Sequence, residues 1–143
     1  MKLYLYTRKF LLFAAPLLAS SMVALPSQAA TFASANGDLN LTNFSQSPVA
    51  TDTITDTNTL AISKSGIVNA FAQAEASFLI PPPVASTSSL SVAFGEGQDY
   101  LGLAQSQAQV IGNFIVDAEK TFSFDFDANL DLKTSIGSIQ FWQ

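Results

Sequence analysis

Between Thr121 and Lys133 the chain reads TFSFDFDANLDLK, an unbroken two-residue alternation. Phe122, Phe124, Phe126, Ala128, Leu130 and Leu132 fall in one phase, and Ser123, Asp125, Asp127, Asn129, Asp131 and Lys133 in the other. Strand side chains point to opposite faces with period 2, whereas a helix would scatter the six apolar residues around its circumference. The pattern predicts a half-buried strand of an antiparallel sheet, with the apolar row against a core and the polar row in water.

Similar reasoning extends upstream. TFASANGDLNLTNF, residues 31–44, places Asn36-Gly37-Asp38 between short alternating pieces, which predicts a hairpin turn. TDTITDTNTLAI, residues 51–62, is threonine-rich and alternates weakly, as an edge strand or an exposed loop would. Lys64-Ser65-Gly66 then predicts a turn into IVNAFAQAEASFLI, residues 67–80. That stretch fits two patterns. A helix would stripe Ile67, Phe71, Ala74 and Phe78, while a strand would align Val68, Ala70, Ala72, Ala74, Ala76, Phe78 and Ile80, the longer match.

Pro81-Pro82-Pro83 ends the segment, because prolines lack the amide donor and favour extended polyproline geometry. No PxxP pattern develops, so an inter-strand connection is the reading. Residues 89–94 (SLSVAF) alternate again, and residues 95–99 (GEGQD) predict a turn. Residues 100–116 run longer than a usual strand, with a bend or bulge expected near Gly112-Asn113. Facing alanine rows from the segments at 70–80 and 104–116 would allow close approach of two strand faces. Asp117-Ala118-Glu119-Lys120 makes the last turn. Several short strands with regular turn signals indicate an all-β chain, an antiparallel β-sandwich of jelly-roll type.

The first 29 residues read as an export signal. Lys2, Arg8 and Lys9 form a basic start, residues 10–19 an apolar run broken by Pro16, and Ser27-Gln28-Ala29 a signal-peptidase site, predicting cleavage after Ala29. The apolar run falls short of the roughly 20 residues a spanning helix needs. Residues 30–143 would then form a single domain of suitable length. Ile136, Ile139, Phe141 and Trp142 keep extended apolar character to Gln143, as a docked terminal strand would, or a chain cut short of its natural end.

Charge and composition narrow the function. After residue 29 only Lys64, Lys120 and Lys133 remain against eleven acids, a net charge of −8. Nucleic acid and anionic membranes need clustered Lys or Arg, so neither is an expected partner. The chain contains no cysteine and no histidine, which removes disulfides, Cys-His and Ser-His-Asp catalysis and ordinary Cys/His zinc sites.

The run from Gly95 to Ile136, with TFSFDF at its centre, resembles a segment of exported cyanobacterial proteins, some carrying a C-terminal sorting tail of the PEP-CTERM kind. The resemblance implies a secreted or envelope-associated β-rich protein with no established reaction. No Pro-Glu-Pro motif or basic terminus is present in the sequence to support that sorting route.

Four constellations could carry chemistry. Asp125, Asp127, Asn129 and Asp131 have the 1, 3, 5, 7 spacing of a calcium loop, but Leu130 and Ile136 occupy the places of its glycine and its final acid. Carboxylates two residues apart in a strand lie roughly 7 Å from each other, too far to share one calcium without a bend. Asp125, Asp127 and Asp131 are therefore calcium candidates opposed by a solvated face. Gly95-Glu96-Gly97-Gln98-Asp99-Tyr100-Leu101 matches one copy of the GxGxDxU calcium repeat, which needs stacked copies. Asn40-Leu41-Thr42 and Asn43-Phe44-Ser45 are glycosylation sequons.

Lys64 between serines, and Asp117 with Glu119 in a turn, lack the burial that tunes a catalytic acid or base, so no catalytic residue and no cofactor is assigned. Tyr100 and Trp142 are candidates for sugar binding, where a flat ring packs on a sugar face. The expectation is a secreted, periplasmic or cell-surface structural or adhesion protein meeting polysaccharide or envelope components, with a carbohydrate-binding module as the alternative.

Overall fold

The computed structural model describes residues 8–13, 22–23 and 30–137. They form six strands: β1 (Arg8–Phe13), β2 (Met22–Val23), β3 (Ala30–Thr42), β4 (Ala50–Leu79), β5 (Val84–Val116) and β6 (Asp125–Gly137). Every pairing is antiparallel, and β5 is the hub. Along one side it pairs β4; along the other it meets β3, then β2 and β1, while β3 carries β6 on its far side. The expected all-β antiparallel class is what is observed.

β5 has 33 residues and would reach roughly 110 Å if straight. It does not run straight. The hydroxyls of Ser91 and Ser106 are hydrogen-bonded at 2.8 Å, although 15 residues of extended chain would separate them by roughly 50 Å. The strand therefore doubles back, and its two halves face one another. The corner carries Gly66 (φ 142°) on β4 and Gly97 (φ 104°) and Asp99 (φ 51°) on β5. Gly66 opposes Gly97, so two residues without a Cβ meet where the ribbon turns.

Burial records the same fold. Before the corner the buried residues of β5 are odd-numbered: Ala85, Thr87, Ser89, Ser91 and Ala93. After it they are even-numbered: Tyr100, Ala104, Ser106, Ala108, Val110, Phe114 and Val116. The phase reverses at the corner, which keeps one face of β5 inward on both arms. The architecture is one antiparallel sheet folded over on itself. Small side chains permit the close contact: a Cβ on Gly102 would lie 3.5 Å from the Cβ of Ala93, and one on Gly95 would collide with the Tyr100 ring. The Tyr100 hydroxyl bonds Thr31 Oγ1 at 2.8 Å, linking the corner to the start of β3.

The principal core lies at the opposite end. Leu41, Phe44, Ala85, Val110 and Phe114 are buried together, with Phe78, Phe122 and Phe124 against them. Phe44 stacks on Phe114 at 5.5 Å and on Phe78 and Phe124 at 5.7 Å between ring centroids, separations typical of favourable aromatic pairs.

Several turn expectations are corrected. Asn36-Gly37-Asp38 lies inside β3, where Gly37 opposes Ser89 on one side and Leu130 on the other; pairing on both edges overrides the local turn preference. The signals at Lys64-Ser65-Gly66 and at residues 95–99 mark the folded corner of one ribbon, where strand pairing continues, instead of chain reversals. No bulge interrupts Gly112-Asn113, since both residues sit in one-to-one register with β1 and β4. Residues 67–79 form strand, with Ile80 opening the following turn, and the exposure of Ile67 and Phe71 excludes the helical stripe. The proline triplet sits in a tight turn between β4 and β5, with cis bonds at Ile80-Pro81 and Pro81-Pro82, instead of an extended polyproline segment. The expected cleavage point after Ala29 borders residues outside the described range.

Candidate functional site

The alternation over residues 121–133 predicts one strand; the structure begins β6 at Asp125, leaves residues 121–124 outside it and carries the strand on to Gly137, and the apolar row of β6 is not covered. Phe126 is 72% exposed, Leu130 60%, Leu132 53% and Ile136 80%. Their β3 neighbours in register are Leu41, Gly37, Ala35 and Thr31. Leu41 and Ala35 are only 4% and 6% exposed. Cross-strand neighbours share a face, so burial stops between β3 and β6: among the described residues, the layer that covers β3 does not reach β6. The expected inward row is corrected here. Only Phe122 and Phe124 enter the core, and both precede β6.

Backbone ties explain why those two part from the rest. The Ser45 amide donates to the Ser123 carbonyl at 2.8 Å, and the Ser123 amide donates to Ser45 Oγ at 2.9 Å. These bonds hold residues 121–124 against the loop after β3, which presents Phe44, so the rings of Phe122 and Phe124 pack on it at 6.4 and 5.7 Å. From Asp125 onward β3 dictates the path, and the apolar side chains emerge into solvent.

Among the described residues β6 pairs only with β3, so its outer edge presents unpaired amides and carbonyls. The site is a 13-residue strand with an uncovered apolar face and one open hydrogen-bonding edge. Such a surface can accept another strand or bury its apolar face against a partner.

The polar face of β6 does not gather into a metal site. Asn43 Nδ2 donates to Asp125 at 2.8 Å, and Lys133 forms an ion pair with Asp131. Asp127 lies opposite Asn40. Among the described residues no group of three or more acids converges to hold a metal ion. The structure leaves Asp125, Asp127 and Asp131 spread along an extended strand. Glu96 and Asp99, from the single calcium-repeat match, lie at the ribbon corner.

Tyr100 also departs from its expected role. It is 2% exposed, with its ring over Gly95 and its hydroxyl on Thr31. As an exposed sugar platform it is corrected: its even-numbered phase is the buried one after the corner. Trp142 lies outside the described residues. Lys64, Asp117 and Glu119 are exposed, and the Asp117 carbonyl accepts from the Lys120 amide at 3.2 Å in a turn.

One polar feature had no linear signal. Asp38, Ser88 and Glu75 lie in register across β3, β5 and β4, beside a shallow cleft of about 620 Å³ that Asn40, Thr55 and Thr87 also line. Glu75 accepts from Gln73 Nε2 at 2.8 Å. Two interstrand spacings put the backbones of the carboxyl-bearing residues on the order of 10 Å apart, and among the described residues no third acid joins them as a group that could hold a metal ion. Only the strand register brings these residues together.

Comparison with protein-family models, with curated proteins and with solved structures finds no match to this chain.

Proposed function

We propose that this chain is an exported, non-catalytic structural or adhesion protein of the cell envelope or extracellular space, acting through exposed strand surfaces. The uncovered row of Phe126, Leu130, Leu132 and Ile136 on an open sheet edge carries this reading. A soluble domain holding four large apolar side chains in line on one strand is equipped to bury them against something else. The leader-like features of residues 1–29 and the resemblance to exported cyanobacterial proteins supply the location. The lack of histidine and cysteine fits a mechanical rather than a chemical task.

Fractionation of the producing cell tests the proposal. The chain is expected in the envelope or extracellular material, and the variant Phe126→Ser with Leu130→Ser is expected to shift it into the soluble fraction without unfolding it. Recovery of the native chain only from cytosol would contradict the location. An unchanged distribution of the folded variant would contradict the role of β6.

A further inference from the structure

The two sides of β5 are served by different parts of the chain. β4 pairs along nearly its whole length. On the other side β3 stops at Gly95, and beyond that point the partners are β1, opposite Ile111 to Val116, and β2, opposite Leu103 and Ala104. Both precede Ala30, where β3 begins. Loss of residues 1–29 would therefore strip this side of β5, from residue 96 to residue 116, of every strand partner among the described residues.

That edge has no defence against pairing. Open edges in soluble proteins are usually guarded by charges, prolines or bulges. Residues 101–116, LGLAQSQAQVIGNFIV, contain no charged residue and no proline. Their inward row, with Ala104, Ser106, Ala108, Val110, Phe114 and Val116, is buried, and their outward row carries Gln105, Gln107 and Gln109. β6 has complementary properties: 13 residues with an edge unpaired among the described residues, an uncovered apolar row in one phase, and Asp125, Asp127 and Asp131 in the other.

We propose that, once residues 1–29 are removed, β6 of a second copy adds to the vacated edge of β5, building a head-to-tail chain of subunits; this rests on the export reading above. In that pairing Phe126, Leu130 and Leu132 extend the buried row of β5. The aspartates lie beside the glutamine row, whose amides donate to carboxylates. Charge selects this partner edge over the others. Pairing β6 with β6 brings together two strands that each carry three aspartates against one lysine, and the edge of β4 left free among the described residues carries Asp52 and Asp56, while the β5 edge is neutral. Joining two different edges does not close a dimer, so growth continues until an end is blocked. In the unprocessed chain β1 and β2 occupy the edge and hold the precursor monomeric.

The test begins with the intact mass of the chain recovered from its producing cell, which reports the export reading separately. If residues 1–29 are retained, the edge never opens and both ideas fail. If they are lost, sedimentation of the recovered chain is expected to show a concentration-dependent ladder of oligomers, and a purely monomeric species would overturn the proposal alone. Ala108→Pro blocks the β5 edge and Asn129→Pro blocks β6. Each variant is expected to be monomeric, and an equimolar mixture to stop at a one-to-one dimer through the two intact edges. Because proline can unfold a strand, a charge series gives an independent reading. Gln107→Glu with Gln109→Glu is expected to raise the half-assembly concentration about tenfold, and Gln107→Lys with Gln109→Lys to lower it. Oligomers indifferent to this series would assign assembly to another surface and overturn the proposal.

Discussion

β5 buries alanines, serines and glycines, whereas β6 holds phenylalanine, leucines and isoleucine out in solvent. By composition β6 is the stronger core strand, since its apolar side chains would each gain about 1.5–3 kcal/mol on burial. By position β5 is, because its folded ribbon supplies its own covering layer. The alternation in β6 correctly specifies which side chains share a face. Whether a second layer lies above that face is decided elsewhere, by the corner at Gly66, Gly97 and Asp99 and by how far the folded arm extends.

Substitutions should separate the two strands sharply. Phe114→Ala, at 1% exposure in the aromatic cluster, is expected to destabilise by about 3–5 kcal/mol in denaturant unfolding. Gly95→Ala forces a Cβ into the Tyr100 ring, with an expected cost of about 1–3 kcal/mol by the same measurement. Ser91→Ala leaves the Ser106 hydroxyl buried without its partner, a cost of about 1–3 kcal/mol. Adding Ser106→Ala should restore much of that loss, and a strictly additive double variant would contradict a cross-layer bond. Leu130→Ser in β6 is expected to stay within about 0.5 kcal/mol of the parent. A Leu130→Ser penalty as large as that of Phe114→Ala would erase the contrast between the strands.

Much of the fold is legible in the order of residues alone. The period-2 phases read over residues 67–80, 100–116 and 121–133 correspond to strand at 67–79, 100–116 and 125–133, because alternation reflects backbone geometry and needs no knowledge of partners; residues 121–124 keep the alternation but are drawn out of the strand by their bonds to Ser45. The strand at Asn36-Gly37-Asp38 is not legible, since pairing with both β5 and β6 outweighs the local turn preference of an Asn-Gly pair. The fold-over is hidden because a phase reversal between Gly95 and Tyr100 reads locally as a turn between two strands. The site itself is half legible. The apolar row can be identified residue by residue, but its exposure depends on a missing layer that no linear pattern encodes. Tyr100 misleads for the related reason that its side of the strand changes at the corner.

The contrast between β5 and β6 can be measured directly because the chain has no cysteine of its own. Single variants Val110→Cys and Leu130→Cys, each in the monomeric full-length chain, can be reacted with a maleimide under native conditions. The expected result is labelling of Leu130→Cys near the rate of an unfolded peptide, with Val110→Cys slower by orders of magnitude. Equal protection of both thiols would show that the β6 row is covered, and would contradict the account of an open strand surface.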